Sequence, residues 1–274
     1  MTGAKRSSGR ITRAVIPAAG KGTRLLPLTR AVPKELIPLG GRPVLEYIVD
    51  EVVAAGITEV LFVISDAKTA IRDHFGGGMG GVRLEYAFQA EQKGLADAVY
   101  CAKEFAAGEP FAVVLGDSVI DTDQAVSPFA RVLETYRDTP ARGVIVVQHT
   151  PLHEVSRYGI VSPRGEVGPR FEIDGLVEKP DPREAPSDLA VAGRYAFDPI
   201  LFEYIERTQP GAGGEYQISD SIRLMIEDGH PVWCVALSED EVRRDIGTFE
   251  SYFEAFAVEV ERLRRADDKF QTRL

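Results

Sequence analysis

Short apolar runs bounded by turn residues alternate along this chain with stretches whose apolar residues recur at helical spacing, and that alternation most constrains its fold. A strand buried on both faces needs an almost continuous apolar run, whereas the helix covering it needs only one apolar stripe. The runs 11–17, 59–65, 83–87, 111–115, 143–149, 190–197 and 231–237 read as strands, with a further pair around 159–162 and 175–178. Between them, Leu45, Ile48, Val49, Val52 and Val53 form one stripe that Gly56 ends, and Leu95, Ala98, Val99, Ala102 and Phe105 share a face of a helix predicted over 95–107. Pro43, Pro128 and Pro199 stand at expected first helical positions, two of them capped by Ser127 and Asp198. Two more helices are predicted, one from Gln217 to Gly229 and one from Thr248 to Arg265. The second carries Tyr252, Phe253, Phe256, Val260 and Leu263 along one side, expected to pack on its own domain. The pattern implies an α/β fold with a doubly covered, mixed but mainly parallel sheet.

Size and charge narrow the function. The 274 residues are enough to bury a substantial core, and no internal repeat or low-complexity linker divides them, so one domain over 11–274 is expected. The small, polar, basic residues 1–10 read as a flexible tail. A net charge of −10 argues against nucleic acid as a partner but leaves room for a phosphate ligand, which needs only local positive charge. With no apolar run of spanning length and no secretory segment, a cytoplasmic chain with no membrane partner is the expectation. Cys101 and Cys234 sit in apolar-periodic stretches and read as buried thiols. His149 and His153 fall where four-residue spacing does not align two imidazoles, which argues against zinc.

Ligands of such sheets gather beyond the carboxyl ends of the strands, which directs attention to the segments that follow them. After the first strand come Ala18-Ala19-Gly20-Lys21-Gly22-Thr23-Arg24 and then Pro33-Lys34-Glu35. Glycines at 20 and 22 let the backbone turn its N–H groups toward an anion, and Arg24 and Lys34 can neutralise it. The spacing is not that of a Walker A loop. A second glycine cluster, Gly76 to Gly81, matches the dinucleotide pattern but follows a helix and precedes a strand, the reverse of what pyrophosphate needs; it reads as a connection. Asp117 ends an apolar run beside Gly116 and reads either as a turn former or as an oxygen ligand for a hard cation. Asp245, just ahead of the last helix, reads either as part of the entry loop or as a second ligand to the same ion. Glu178-Lys179-Pro180 reads either as a surface turn or as a carboxylate for sugar hydroxyls beside an ammonium for a phosphate.

Taken together, these segments resemble the bacterial UTP–glucose-1-phosphate uridylyltransferases and the related glucose-1-phosphate thymidylyltransferases, from about Arg13 to Ala257. The glycine loop and Pro33-Lys34-Glu35-Leu36-Ile37-Pro38 carry the resemblance first. Gln89 to Ala98, Leu115-Gly116-Asp117, Tyr158-Gly159-Ile160, Val177 to Pro180, Ala192 to Tyr195 and Gly213 to Gln217 follow in the family's order. The resemblance implies a Rossmann-like nucleotidyltransferase domain that joins a nucleoside triphosphate, UTP favoured, to a sugar 1-phosphate with Mg²⁺.

It also implies roles. Ala19, Gly20 and Gly22 would hold base and phosphates, with Arg24 on the triphosphate and Lys34 at the α-phosphate. Gln89 would meet the pyrimidine edge and Gly94 would let the ring lie close. Asp117 and Asp245 would coordinate Mg²⁺. Gly159, Glu178 and Gly193 would line the sugar, with Lys179 on its phosphate. Asp245-Ile246-Gly247-Thr248 is closer to the thymidylyltransferase form and Pro33-Lys34-Glu35 to the uridylyltransferase form, so dTTP is the alternative nucleotide. A nucleotide-sugar sensor without catalysis is the alternative outside enzymes, and a homo-oligomer is an expectation taken from relatives.

Overall fold

The computed structural model describes residues 9–271; the first eight residues of the basic tail lie outside the described residues, as do 272–274. The first half runs through β1 (Arg13–Pro17), β2 (Pro38–Leu39), β3 (Arg42–Pro43), α1 (Val44–Ala54), β4 (Glu59–Ile64), α2 (Thr69–Phe75), β5 (Gly78–Met79), β6 (Val82–Phe88), α3 (Leu95–Tyr100), α4 (Lys103–Ala106), β7 (Phe111–Val114) and β8 (Ser118–Asp121). The second half runs through α5 (Pro128–Asp138), β9 (Gly143–His149), β10 (Gly159–Pro163), β11 (Arg170–Glu178), β12 (Leu189–Phe197), α6 (Leu201–Arg207), α7 (Ile218–Glu227), β13 (Val232–Ala236), β14 (Val242–Asp245) and α8 (Phe249–Gln271).

Ten strands make one mixed sheet in the order β10-β11-β13-β9-β12-β7-β1-β4-β6-β5. Its parallel block, β7-β1-β4-β6, belongs to the first half of the chain, where short strands alternate with crossover helices. The second half brings antiparallel pairings: β12 lies between β7 and β9, and β10 and β11 form a hairpin-like pair at the far edge. Both faces are covered. In β1, Ala14 and Ile16 point to the side packed by α1, α2 and α5, while Val15 points to the side packed by α3, α6 and α7. In β9, Val144 and Val146 take the first side and Ile145 and Val147 the second. This division explains why the strands read as unbroken apolar runs instead of alternating ones.

Local departures from the sequence expectations have local causes. The helix predicted over 95–107 is two short helices, because an i→i+3 bond from the Ala102 amide to the Val99 carbonyl tightens the turn between them. Pro43 is extended (φ −55°, ψ 141°) and pairs with Pro38 in β3, so α1 begins one residue later. Ser127 caps α5 as expected, accepting the Ala130 amide. Asp198 accepts the Ile200 amide, and a turn at Pro199 leads into α6. Helix α8 runs to Gln271, well beyond Arg265. Arg262 and Arg265 therefore sit inside it and pair with Glu259 and Glu261. Tyr252 and Phe256 pack on the core, whereas Phe253 and Leu263 are exposed. Cys234 is buried and Cys101 half-buried. The glycines at 76–81 form a tight connection through β5 into β6.

One polar contact crosses three elements and fixes the site's floor. Arg194 of β12, fully buried, sends Nη2 to Glu51 Oε2 of α1 at 2.7 Å and to the Ser118 carbonyl of β8 at 2.8 Å. Ser118 is the neighbour of Asp117. Removing Glu51 would leave a guanidinium buried with only neutral oxygen partners, an expensive state. Glu51→Ala is expected to lower unfolding stability by about 3–5 kcal/mol, the range for breaking a buried pair. Urea titration of the wild type and the variant would measure the change.

Candidate active site

Strand β1 lies in the parallel block between β7 and β4, so the loop leaving it opens at the carboxyl ends of all three strands. Two contacts hold that loop where it leaves the sheet: the Ala18 amide donates to the Val63 carbonyl (2.8 Å), and the Ala18 carbonyl accepts Lys68 Nζ (2.8 Å). Lys68 also pairs with the buried Glu35, at 2.7 Å to Oε2, tying the 33–35 turn to the same place. Gly22 has φ +64°, and a Cβ there would come within 3.0 Å of Thr29 Cγ2, so both backbone and space call for glycine. Beyond it, Thr23–Leu25 form a single 3₁₀ turn anchored by buried Leu25, which leaves Arg24 exposed at the cleft.

The loop forms one wall of a cleft of about 830 Å³. Its lining includes Ala19, Gly20, Gly22, Arg24, Lys34, Gln89, Gly94, Asp117, Gly159, Glu178, Lys179 and Asp245, so the fold gathers eleven of the twelve further candidates around Arg24 that the sequence named, Gly193 excepted. Six cations and five carboxylates line this cleft, a local balance quite unlike the acidic chain as a whole. That is the local positive charge a phosphate ligand requires.

At its floor Lys34 Nζ meets Asp117 Oδ2 at 2.6 Å. Burial pushes the Asp117 carboxyl up, but Lys34, with Arg243 and Arg24 farther out, outweighs it and holds the pKa at about 2. For Lys34, burial pushes the ammonium down, and Asp117 with Glu35 and Asp245 more than reverses this, so its pKa is raised. The signs follow. Asp117, depressed, adds stability above the ordinary carboxylate range that is lost as pH falls toward 2. Lys34, raised, adds stability below the ordinary lysine range that is lost as pH rises through its folded value.

Asp245 approaches from β14, which pairs with β8 so that Asp245 stands opposite Ser118. The next amide, Ile246 N, donates to the Asp117 carbonyl at 3.0 Å. Both carboxylates thus flank one strand junction and face one cleft. Asp245 is oriented by the Gly247 amide (2.7 Å to Oδ1) and by Arg243 Nη2 (3.3 Å to Oδ2). Two carboxylates with no His or Cys form an oxygen-only donor set, which suits a small hard cation that takes its remaining ligands from phosphate and water. Among the described residues there is no group of three or more His, Cys, Asp or Glu side chains placed to hold a metal ion.

The opposite end of the cleft is built by the antiparallel half. Glu178, at the end of β11, pairs in register with Gly159 of β10 and accepts Ser219 Oγ at 2.6 Å. A Cβ at Gly159 would sit 3.2 Å from the Glu178 carboxylate, so glycine keeps that group clear. Lys179 follows with φ +48°, unusual for a lysine and held by the hydrogen bond its amide N–H donates to the Tyr158 carbonyl; its side chain is exposed at the cleft. Gly193 does not line the cleft. It lies where the β12–β9 register shifts, its carbonyl accepts the Leu115 amide, and its strand neighbours Val191 and Tyr195 face the cavity instead.

Gly94 has φ +117°, and an added Cβ would lie 2.6 Å from the Tyr216 carbonyl oxygen and 2.8 Å from its nitrogen. Here glycine lets the 93–96 backbone dock on the 215–217 loop, through Tyr216 N to Lys93 O and Ala96 N to Tyr216 O. That docking brings Glu215 and Gln217 to the cleft.

Several lining residues escaped the sequence reading. Arg243 is nearly buried, stacks 5.4 Å from the Tyr158 ring centre, and its Nε has no partner among the described residues. Its signal was period-two spacing: on a strand, Arg243 and Asp245 share a face. Tyr195, whose hydroxyl burial pushes well above its ordinary pKa, and Glu35 stand in the quoted motifs without a role of their own, and Lys68, which pairs with Glu35 from outside the lining, carries no local pattern.

The nucleotidyl transferase family model matches residues 13–262. The UTP--glucose-1-phosphate uridylyltransferase of Bacillus subtilis (strain 168) is 40% identical over 240 residues, 80% of this chain and 81% of that protein. The enzyme of the same name from Streptococcus pyogenes is 38% identical over 236 residues, 78% of each. Among solved structures, a UDP-glucose pyrophosphorylase complexed with UDP-glucose superposes with a TM-score of 0.86 at 30% identity, covering 92% of this chain and 99% of that one. A UTP-bound UGPase from Acinetobacter baumannii gives 0.81 at 29%, covering 91% and 93%.

Two outcomes follow from this geometry. In Lys34→Met, burial acts on Asp117 with its main partner gone, so the carboxyl pKa should climb from about 2, read by carboxyl-carbon NMR titration. Gly94→Ala should cost ~1–3 kcal/mol in backbone strain and loosen the 215–217 loop, seen as faster amide exchange there.

Proposed function

Because the chain belongs to the nucleotidyl transferase family, we propose that it transfers a uridylyl group from UTP to glucose 1-phosphate, forming UDP-glucose and pyrophosphate. The single observation that carries this reading is the Lys34–Asp117 contact at the junction of the two ends of the cleft, with Asp245 beside it. The relatives' names supply the substrate pair, and a cleft with a phosphate-type loop at one end and a carboxylate with an ammonium at the other suits it. The reaction belongs in the cytoplasm, where nucleoside triphosphates are held.

An oxygen of the sugar phosphate attacks the α-phosphorus in line; the new O–P bond forms as the bond to the β-phosphate oxygen breaks, and pyrophosphate carries away the electron pair. That nucleophile is already an anion near neutral pH, so no side chain has to remove a proton. What the protein must overcome is repulsion between two anions and charge growing on the α-phosphate, so positioning and electrostatic stabilisation dominate. The 19–22 backbone and Arg24 receive the triphosphate, Lys34 answers the charge at the α-phosphate, and Gln89 and Gly94 meet the base. Lys179 orients the sugar phosphate, and Glu178, fixed by Ser219, accepts from sugar hydroxyls. Asp117 and Asp245 would hold Mg²⁺, which when bound screens the two phosphates from one another.

Pyrophosphate release measured over a matrix of nucleoside triphosphates and sugar 1-phosphates tests the reading: UTP with glucose 1-phosphate should give the highest kcat/KM, and no release from any pair would overturn it. Asp117→Ala should lower kcat by ~10²–10³-fold, the usual loss for one preorganised stabilising group. Lys179→Ala should raise KM for the sugar phosphate more than KM for UTP.

A further inference from the structure

Gln89 enters the cleft from the end of β6, its side chain nearly buried. Its amide nitrogen donates to two acceptors, the Asp97 carboxylate at 2.7 Å and the Gly94 carbonyl at 3.2 Å. An amide NH₂ has two hydrogens, and these two bonds use both. Neither partner can donate: the carboxylate and the carbonyl are acceptors only. Turning the amide over would set its oxygen against two other oxygens, so the orientation is dictated by chemistry. The oxygen is left as the only polar atom Gln89 can offer to a ligand. Asp97 itself does not line the cleft; it stands one turn into α3, behind Gln89.

We propose that Asp97 is a positioning residue for base selection: by holding both amide hydrogens of Gln89, it presents the cleft with a fixed hydrogen-bond acceptor and so selects a pyrimidine that carries a proton on its ring N3. This rests on the reading of the cleft as a nucleotide site. Uracil and thymine carry that N–H. Cytosine carries a lone pair at the same ring position, so its approach sets acceptor against acceptor in a buried place where neither finds water. The selectivity belongs to the pair, because an unrestrained glutamine amide would turn and serve either base.

The nitrogen's other anchor, the Gly94 carbonyl, comes from the residue whose φ of +117° docks the 215–217 loop, and it also accepts the Ala98 amide at the start of α3. That oxygen cannot swing away, and the Ala98 bond fixes it beside Asp97. The selecting group is therefore held by backbone on one side and by a carboxylate on the other. Replacing the carboxylate with an amide of the same shape removes the shorter of the two restraints and leaves the longer one to the Gly94 carbonyl: an asparagine can either accept from the Gln89 nitrogen or donate to its oxygen.

The test compares kcat/KM for UTP and for CTP, with glucose 1-phosphate as cosubstrate, in the wild type, Asp97→Asn and Asp97→Ser. The wild type should prefer UTP strongly, and both variants should lower the UTP:CTP ratio by ~10-fold or more, the size expected when one misplaced polar contact is relieved. Thermal unfolding of each variant identifies any that fails to fold, and serine, which can donate or accept, reads the same ratio if asparagine does not survive. A fall in both activities by the same factor would assign Asp97 a merely structural part and overturn the proposal. An unchanged ratio with unchanged activity would overturn it as well. A wild type that fails to distinguish UTP from CTP also overturns it while leaving the transferase reading standing, and one that releases pyrophosphate from neither triphosphate removes both.

Discussion

The 2.6 Å contact between Lys34 and Asp117 is the interaction on which the rest of the site depends. Either charge alone at the floor of the cleft would meet a desolvation cost of several kcal/mol. Together they form a neutral pair that the fold can hold at rest. In the proposed reaction each would turn to a different partner: the ammonium to an incoming phosphate, the carboxylate to a cation that arrives with it. The surrounding structure keeps the two in reach. Glu35 and Lys68 fix the backbone on the lysine side, and Arg194, bridging Glu51 and Ser118, fixes it on the aspartate side.

The division of the sheet gives the cleft two unlike ends. Parallel strands leave their carboxyl ends together, and the loop after β1 exposes backbone N–H groups where the strands stop. The antiparallel half closes the opposite end through β10, β11 and the start of α7, which contribute Gly159, Glu178 and Ser219. Neither end is complete alone. Strand β14, running back beside β8, carries Asp245 to the boundary between them, and this late element joins the halves.

The parallel half was the more legible from sequence. Strands buried on two faces announce themselves as apolar runs, and the segments that follow them are candidates by position: Asp117 ends such a run, and Arg24 and Lys34 stand as cations in the loop after the first. Asp245 was found by its place before a helix, but its strand was not, because Val242–Asp245 holds three charged residues and has no apolar pattern. Arg243 was missed with it. Gly193 was named from its motif, yet a glycine in a motif can serve packing as readily as a ligand, and here a Cβ would press on the Leu115 side chain. The buried Glu35–Lys68 pair lay beyond sequence reasoning, because its members are thirty-three residues apart and meet only through the fold. The apolar stripe of α8 predicts packing along one side, but its Phe253 is 62% exposed.

The claim at the centre of this account is that the resting Lys34–Asp117 pair separates when nucleotide arrives, so that Asp117 and Asp245 come to share one divalent ion. A crystal structure grown with UTP and Mn²⁺, located by its anomalous scattering, tests this most directly. The account predicts a single ion bonded to oxygens of both aspartates, with the Lys34 ammonium moved onto the nucleotide phosphates. An ion bonded to neither carboxylate, with Lys34 still closed on Asp117 beside a bound triphosphate, would contradict it.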